Sequence, residues 1–306
     1  MENDFIAINW GSSNFRAYLL DHAGDVRDAF AEPAGIASLD RPGMVAQVER
    51  LLRRWPDAHR IYACGMVGSN VGWADAGYVE CPIGLDGLAT NLHEAAIAGR
   101  VMHIVPGLAC RRASDGAPDI MRGEETELFG LLRAGKLPRD GIVALPGTHG
   151  KWVRIAGGRV MEFMTAMSGE MFDRLTAAGM LASVVAAPAA IGTAFTMGAR
   201  AGADRLLGLG TQLFGVRAKV IRQDLARDDA ASYLRGVLIG SEIADALALY
   251  PVVADDVVTL VGAAPVCALY AEALRDRGIR SVTVDAADAT ARGFAALHAA
   301  SWGAPA

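Results

Sequence analysis

The stretch IAINWGSSNFRAYLLD, residues 6–21, decides how the fold of this chain is interpreted. Residues 6–8 and 15–20 are predicted strands, because each is a short apolar run bounded by turn residues. The turn between them is rich in small and amide side chains, namely Asn9, Gly11, Ser12, Ser13 and Asn14. A hairpin needs only small residues for its backbone, whereas these groups can also hydrogen-bond an oxyanion. Two interpretations are therefore open at this point, a structural hairpin and an anion-binding loop.

Length and composition indicate a globular protein of two domains. A chain of 306 residues exceeds the usual size of a single hydrophobic core. A hydrophobic content of 52% with 21% charged residues is typical of folded, soluble proteins. The net charge is −5 and no run of Lys and Arg is longer than a pair, so the sequence offers no electrostatic basis for binding nucleic acid.

The cysteines, the amino terminus and one uncharged segment indicate the cellular compartment of the protein. The widely spaced cysteines are Cys64, Cys81, Cys110 and Cys267, and their spacing matches neither a metal site nor a disulfide framework. The amino terminus lacks the regions of a signal peptide. Residues 175–199 carry no charge, but they are mostly small and include Pro188, which favours a soluble helix and loop over a membrane span. We expect a cytoplasmic protein without a membrane segment.

The pattern of the opening stretch recurs in the middle of the chain. Residues 142–145 form a predicted strand, PGTHGK at 146–151 a turn, and residues 152–155 and 160–165 two further strands. In this comparison Gly11 and Ser12 correspond to Gly147 and Thr148, although residue identity between the copies is slight. Two related α/β domains, each with a polar hairpin turn, would form a cleft in which paired turns bind a polyphosphate. The best boundary between the domains lies in AGKLPRDG, residues 134–141.

A family resemblance runs along the whole chain. Its motifs, in order, are IAINWGSSNFRAYLL, GMVGSNVGW, MRGEETELFG, LPGTHGKWV and FMTAMSGEMF. Together they resemble the 2-dehydro-3-deoxygalactonokinase family, which is part of the actin-like, hexokinase-like ATPase superfamily. The resemblance implies an α/β fold of two ribonuclease H-like domains with mixed sheets and an interdomain active-site cleft. It also implies phosphorylation of the 6-hydroxyl of 2-dehydro-3-deoxy-D-galactonate by ATP and Mg²⁺ in galactonate catabolism.

The resemblance also predicts which residues make up each domain. The first domain comprises residues 1–137, with the first phosphate loop and the sugar-acid site, and is completed by a C-terminal helix at 286–306. The second domain comprises residues 138–285 and carries the second phosphate loop and the adenosine loop.

Loops for the nucleotide can be assigned within this resemblance. The residues concerned are Gly11, Ser12 and Ser13 in the first phosphate loop, Gly147, Thr148 and Lys151 in the second, and Gly262 and Ala263 in the adenosine loop. Asn9 stands where the family usually places an aspartate that helps to hold the hydration shell of magnesium. An amide oxygen can accept a hydrogen bond from a metal-bound water but brings no negative charge. We therefore expect Asn9 to contact Mg²⁺ through water.

Phosphoryl transfer also requires a base that orients the attacking hydroxyl. In the segment RGEE, Glu124 and Glu125 are the candidates, because related sugar kinases place a catalytic carboxylate just before the second phosphate loop. By the order of glycine and acid, Glu124 would take that place, although counting back from LFG does not settle it against Glu125. Both would also suit a helix N-terminus, where the helix dipole favours acidic side chains.

Candidates for binding the sugar acid lie in the first half of the chain. They are Asn14, Arg16, Ser69, Asn70 and Arg122. A guanidinium matches a carboxylate through two hydrogen bonds, so either arginine could bind the acid group. Arg16 could equally be an exposed strand residue, and Ser69 with Asn70 could belong to a structural turn. His149 has no partner evident in the sequence, and Ser168 is expected to cap a helix with Glu170 in its first turn.

Other function classes remain in view. A nicotinamide-dependent dehydrogenase would need a GxGxxG turn between a strand and a helix, whereas the first glycine turn here joins two strands. A catalytically weak sensor of sugar acid and ATP, or a kinase of the gluconate epimer, is the closer alternative. The expected partner is a small sugar acid rather than nucleic acid or membrane, and a homodimer is compatible with the sequence.

Overall fold

The computed structural model of the protein describes residues 4–185, 188–252 and 256–302. The chain divides into two compact units. The first comprises Met1–Arg139, Ile155–Glu162 and Ala286–Ala306, and the second comprises Asp140–Arg154 and Phe163–Asp285. These units differ from the division expected from the sequence at residues 155–162, where Ile83 and Val160 exchange two backbone hydrogen bonds of 2.9 and 3.0 Å. The roles assigned to the two domains stay predictions.

The strands predicted at residues 6–8, 15–20, 142–145, 152–155 and 160–165 are all present. The strands are β1 Phe5–Trp10, β2 Phe15–Leu20, β3 Val26–Glu32, β4 Arg60–Cys64, β5 Tyr78–Glu80, β6 His93–Ile97, β7 Arg100–Ile104, β8 Gly107–Arg111, β9 Pro118–Met121, β10 Gly141–Leu145, β11 Gly150–Ala156, β12 Arg159–Ala166, β13 Val257–Val261 and β14 Arg280–Val284. The helices are α1 Arg41–Arg54, α2 Leu85–Ala89, α3 Glu124–Arg133, α4 Ser168–Ala177, α5 Thr193–Ala203, α6 Leu209–Ile221, α7 Ala230–Leu249, α8 Ala264–Asp276 and α9 Ala289–Trp302. Short 3₁₀ turns occur at Ile36–Ser38, Met66–Gly68 and Arg227–Asp229.

Two of the sheets repeat one strand order. A 6-stranded sheet has the order β3-β2-β1-β4-β7-β6, and a 5-stranded sheet has the order β12-β11-β10-β13-β14. In the first, β1 pairs antiparallel with β2 and parallel with β4. In the second, β13 pairs parallel with both β10 and β14. The order third, second, first, fourth is therefore common to both sheets, which confirms the repeat that the sequence indicated. A 3-stranded sheet, β5-β8-β9, lies in the first unit.

Strand β1 is covered on both faces, which explains its continuous apolar sequence. Ile6, Ile8 and Trp10 belong to one core cluster with residues of α1 such as Val48. Phe5 points to the other face, where its ring stacks on His298 of α9 at 4.2 Å between centroids. A central, fully packed β1 holds its polar carboxyl end in a fixed position.

Helices α5 and α7 of the second unit pack backbone against backbone. A Cβ atom on Gly202 would lie 2.0 Å from the carbonyl oxygen of Val237, and one on Gly240 would lie 2.0 Å from that of Ala199. Glycine is therefore required at both positions for this contact. The small-residue composition around residues 193–203 reflects helix packing rather than insertion into lipid. Across the described ranges, no helix is both long and apolar enough to span a bilayer.

Candidate active site

A polar pocket lies at the carboxyl end of β1 in the first unit. It has a volume of about 290 Å³ and is lined by Asn9, Gly11, Ser12, Ser13, Asn14 and Arg16. The structure thus brings together the residues that the sequence assigned to the first phosphate loop, to the metal and to part of the sugar-acid site. The side chains of Ser12, Ser13 and Asn14 are exposed, so their polar groups are accessible to a ligand.

The backbone of this loop is fixed by hydrogen bonds. The amide of Ile36 donates to the carbonyl of Gly11, and the amide of Ala37 donates to the carbonyl of Ser12, both at 3.0 Å. Within the loop, the amide of Gly11 donates to the carbonyl of Asn14 at 3.0 Å. These bonds occupy carbonyl oxygens and fix the loop, while the serine hydroxyls stay on the open side.

The first turn of α3 carries the acidic residues of the RGEE segment. Glu125 is fully buried, and its Oε2 accepts a 2.6 Å hydrogen bond from the amide of Gly123. Its Oε1 accepts a 3.3 Å bond from the hydroxyl of Thr126. Burial, followed by the charge of Glu124, raises the pKa of Glu125 to about 8. Both Glu125 oxygens therefore accept hydrogen bonds from residues at the start of α3. Glu124, in contrast, is only half-buried.

Arg122 has donors that no other group in the described residues uses. Its Nη2 donates to the carbonyl of Gly77 at 2.9 Å, and its guanidinium lies 4.4 Å from the ring centre of Tyr78. Nε and Nη1 are buried and have no hydrogen-bond partner within those residues. Because a buried unpaired donor is costly, these two atoms indicate a missing acceptor. Arg16, in contrast, is exposed and lines the loop pocket.

Ser69 and Asn70 differ in their surroundings. Ser69 is buried, and its hydroxyl donates to the carbonyl of Met66 at 2.8 Å, which closes the turn after β4. Asn70 is exposed. Their role in binding the sugar acid stays a prediction, with Asn70 the more accessible of the two.

The second unit presents the loop between β10 and β11. Thr148 is exposed, whereas Lys151 is buried and its Nζ donates to the carbonyl of His149 at 3.0 Å. Gly262 has a φ of +149°, and a Cβ atom there would lie 3.3 Å from the carbonyl oxygen of Pro146. Within this unit, the predicted adenosine loop at Gly262 and Ala263 therefore adjoins the start of the predicted second phosphate loop.

His149 has a partner that the sequence analysis missed. Its Nε2 lies 2.6 Å from Oε2 of Glu170 on α4, and the amide of Glu170 donates to the carbonyl of Thr148 at 2.9 Å. The hydrogen bond from His149 is the largest cause that lowers the pKa of Glu170. The two residues are far apart in sequence, and only the packing of α4 against the loop joins them.

The expectation that Ser168 caps α4 is wrong. The helix begins at Ser168 itself, with Met167 as the preceding cap residue, and no side chain caps it. The hydroxyl of Ser168 instead donates to Oε2 of Glu242, a buried carboxylate on α7.

Glu242 is the centre of a buried network that sequence reasoning did not find. It accepts hydrogen bonds from Ser168, from Nε1 of Trp152 at 2.8 Å and from the hydroxyl of Tyr270 at 2.8 Å. A Cβ atom on Gly150 would lie 2.8 Å from its Oε1. The network ties the end of the β10–β11 loop to α4, α7 and α8. An acidic residue among the apolar residues of helix α7 was the available signal.

The described residues contain no group of three or more His, Cys, Asp or Glu side chains placed to hold a metal ion. Asn9 is the polar residue at the end of β1, and its amide nitrogen donates to the hydroxyl of Thr290 at 3.4 Å. An amide at this position, without a cluster of acidic side chains among the described residues, suits a hard cation that keeps its waters and is held mainly by phosphate oxygens.

Comparison with known proteins agrees with the motifs. The profile of the 2-keto-3-deoxy-galactonokinase family matches residues 9–297. The chain is 37% identical over 306 residues to a probable 2-dehydro-3-deoxygalactonokinase of Rhizobium meliloti (strain 1021), with 97% of each chain covered. It is 33% identical over 287 residues to the 2-dehydro-3-deoxygalactonokinase of Escherichia coli (strain K12), with 93% of each covered.

A solved structure shows the same architecture over nearly the whole chain. It is the crystal structure of a candidate 2-dehydro-3-deoxygalactonokinase from Sinorhizobium meliloti, with a TM-score of 0.88 and 35% identity. The match covers 97% of this chain and 99% of that one. The expected α/β fold with mixed sheets is confirmed. The chain belongs to the 2-keto-3-deoxy-galactonokinase family of sugar-acid kinases, as its five motifs indicated.

Proposed function

We propose that this protein transfers a phosphoryl group from ATP to the 6-hydroxyl of 2-dehydro-3-deoxy-D-galactonate in galactonate catabolism, with Mg²⁺ as the metal. The observation that carries the proposal is the polar pocket at the end of β1, lined by the residues from Asn9 to Arg16 given above, in a chain that belongs to a kinase family. Hydroxyls and backbone amides in such a loop are the groups that bind phosphate oxygens.

Both units supply loops that fit a nucleotide. In the first unit, Ser12 and Ser13 bind phosphate oxygens, Gly11 shapes the loop, and Asn9 accepts a hydrogen bond from a metal-bound water. In the second, Gly147, Thr148 and Lys151 form the other phosphate loop, and Gly262 with Ala263 lies against the adenosine. A Cβ atom on Gly147 would meet nothing within 4 Å, so the backbone there is open to a ligand. When bound, the magnesium complex of ATP supplies the phosphoryl group and neutralises its developing charge.

We assign the catalytic base to Glu124. Its carboxylate accepts the proton of the 6-hydroxyl as that oxygen attacks the phosphorus atom. Glu125 is unsuited, because Gly123 and Thr126 already occupy its oxygens and its raised pKa favours the protonated form below about pH 8. A pair of carboxyl groups in unlike surroundings is a common way to separate two roles.

We assign the binding of the sugar-acid carboxylate to Arg122. Two of its buried donors, Nε and Nη1, lack partners within the described residues, and a carboxylate oxygen is a strong acceptor for a guanidinium N–H. Asn14, Arg16, Ser69 and Asn70 are the further candidates for the substrate. Arg16 lies in the loop pocket, so it could equally serve the phosphates.

The test is ADP release measured with purified protein, ATP, Mg²⁺ and a panel of 2-dehydro-3-deoxy sugar acids. We expect stimulation above the background ATPase rate, with the galactonate epimer preferred. Stimulation by the gluconate epimer alone would refute the substrate assignment, and no stimulation by any acid would refute the kinase reaction.

A cytoplasmic location and a homodimer belong to the same proposal. The cysteines are present as thiols rather than disulfides, which is typical of a reducing compartment. Sedimentation velocity of the purified protein tests the dimer, because a monomer would sediment as a particle of 32.1 kDa.

A further inference from the structure

Three side chains of the first unit form a hydrogen-bonded chain behind the loop pocket. The hydroxyl of Thr290 on α9 donates to Oε1 of Glu127 on α3 at 2.9 Å. The amide nitrogen of Asn9 donates to the same Thr290 oxygen at 3.4 Å. Thr290 is 6% exposed and Glu127 is half-buried, so water does not readily replace these contacts.

Close packing of α3 and α9 holds the Glu127–Thr290 pair in place. A Cβ atom on Gly130 would lie 2.4 Å from the amide nitrogen of Gly293, so the two backbones touch. Glu127 and Thr290 each lie three residues before one of these glycines. Residues three apart share a helix face, so the crossing of the two backbones brings the two side chains together.

The direction of each hydrogen bond follows from the number of protons. A threonine hydroxyl has one proton, and Thr290 gives it to the Glu127 carboxylate. Its oxygen can then only accept, so the group at position 9 must be a donor. An amide meets this requirement and an ionised carboxylate does not.

We propose that Glu127 and Thr290 are positioning residues that orient Asn9, turning its amide nitrogen toward α9 and leaving its carbonyl oxygen for a ligand of the loop pocket. The orientation stands on the contacts of the first unit. Its effect on the nucleotide rests on the proposed function.

The proposal predicts that the amide and the carboxylate can be exchanged, but that a second carboxylate cannot be placed at position 9. Asn9→Asp places a second carboxylate against an oxygen whose single proton already belongs to Glu127. In Asn9→Asp/Glu127→Gln, the new amide at 127 donates to the Thr290 oxygen, and the hydroxyl proton passes to the carboxylate at 9. The double variant therefore restores one donor for each acceptor.

Thermal unfolding at pH 7.5 of the wild type, both single variants and the double variant tests this exchange. We expect Asn9→Asp to lower Tm by about 2–4 °C, Glu127→Gln to lower it less because the new amide oxygen still accepts from Thr290, and the double variant to recover most of the loss caused by Asn9→Asp. The matched control is Asn91→Asp, whose exposed amide donates to the carbonyl of Gly87 at 2.8 Å. Combined with Glu127→Gln, it should show additive losses. Additive losses in Asn9→Asp/Glu127→Gln would overturn the proposal.

A second experiment separates positioning from mere stability. Thr290→Val keeps the shape but removes the hydroxyl, and Thr290→Ser restores it. Calorimetric binding of a magnesium complex of a non-hydrolysable ATP analogue should be about tenfold weaker in Thr290→Val and close to wild type in Thr290→Ser. A lower Tm with unchanged affinity in Thr290→Val would refute a positioning role. A wild-type protein that binds no nucleotide would instead count against the proposed function, while the Tm comparison would still decide the orientation of Asn9.

Discussion

The two units repeat a sheet order, yet they surround their buried carboxylates differently. Glu125 of the first unit is fully buried beside Glu124, and desolvation with that neighbouring charge raises its pKa to about 8. Glu242 of the second unit also has a pKa raised by desolvation, but Ser168, Trp152 and Tyr270 all donate to it and oppose the rise.

This difference indicates a division of labour. An ionisable group whose pKa is strongly shifted by burial and by a neighbouring charge is typical of functional sites. A network in which a buried group has all its partners instead fixes the geometry around it. We infer that the proposed acid–base chemistry of the first unit belongs to Glu124, beside a Glu125 whose raised pKa keeps it protonated, whereas Glu242 and its donors hold the β10–β11 loop of the second unit.

The largest effect is expected from Glu124→Gln, which removes the proposed base while preserving its shape. We expect kcat to fall about 10²-fold or more, because a positioned base contributes on this scale. Steady-state kinetics with saturating ATP measures it, and nucleotide affinity should stay near the wild-type value. Glu125→Gln is the matched control and should keep most of kcat. The opposite ranking of the two variants would transfer the role of the base to Glu125.

The next effect concerns substrate affinity in the first unit. Arg122→Ala removes the buried guanidinium, so KM for the sugar acid should rise about 10- to 100-fold, as the loss of a charged hydrogen bond predicts. The KM for ATP should change little. Arg111→Ala is the control, because this exposed arginine donates only to the carbonyl of Gly116 at 3.3 Å among the contacts that the structure gives it. An unaltered KM in Arg122→Ala would remove Arg122 from the carboxylate site.

In the second unit, the expected effect is on stability rather than on chemistry. Glu242→Gln places an amide among three donors, so the free energy of unfolding should fall by about 2 kcal/mol while kcat is largely kept. Chemical denaturation measures the first quantity and steady-state kinetics the second. Glu272→Gln is the control, since its partner Arg275 is exposed and such pairs contribute less than about 1 kcal/mol. A large loss of kcat without loss of stability in Glu242→Gln would contradict the division of labour.

The last effect is a slope, the dependence of stability on pH. The folded-state pKa of Glu125, about 8, lies above its ordinary value of 4.5. The folded protein therefore keeps a proton that the unfolded chain releases, and stability falls as pH rises from about 4.5 to about 8. One such group contributes at most about 1.4 kcal/mol per pH unit. Denaturation of the wild type and Glu125→Gln from pH 5 to 9 should show the flatter curve in the variant, and parallel curves would contradict the raised pKa.

Much of the local structure could be predicted from the sequence. The apolar runs of β1 and β2, the spacing of α1 and the bounds of α7 follow from patterns within a few residues of one another. The repeated strand-turn-strand unit also indicated two related halves, with corresponding turns near Asn9 and Gly147, because short turns leave few ways to connect neighbouring strands. Family motifs then indicated the kinase, and the loop pocket contains residues that those motifs assigned.

The tertiary structure decided which of these residues contact each other. The sequence by itself determined the strands, the helices, the family and the candidate residues, since these depend on local pattern and residue type. It did not settle the choice between Glu124 and Glu125, gave His149 no partner and treated Ser168 as a cap. Only packing between elements distant in the chain joins His149 to Glu170 and Ser168 to Glu242. Burial, which sets desolvation and hydrogen-bond partners, depends on the whole fold, and it is what distinguishes one carboxylate from its neighbour.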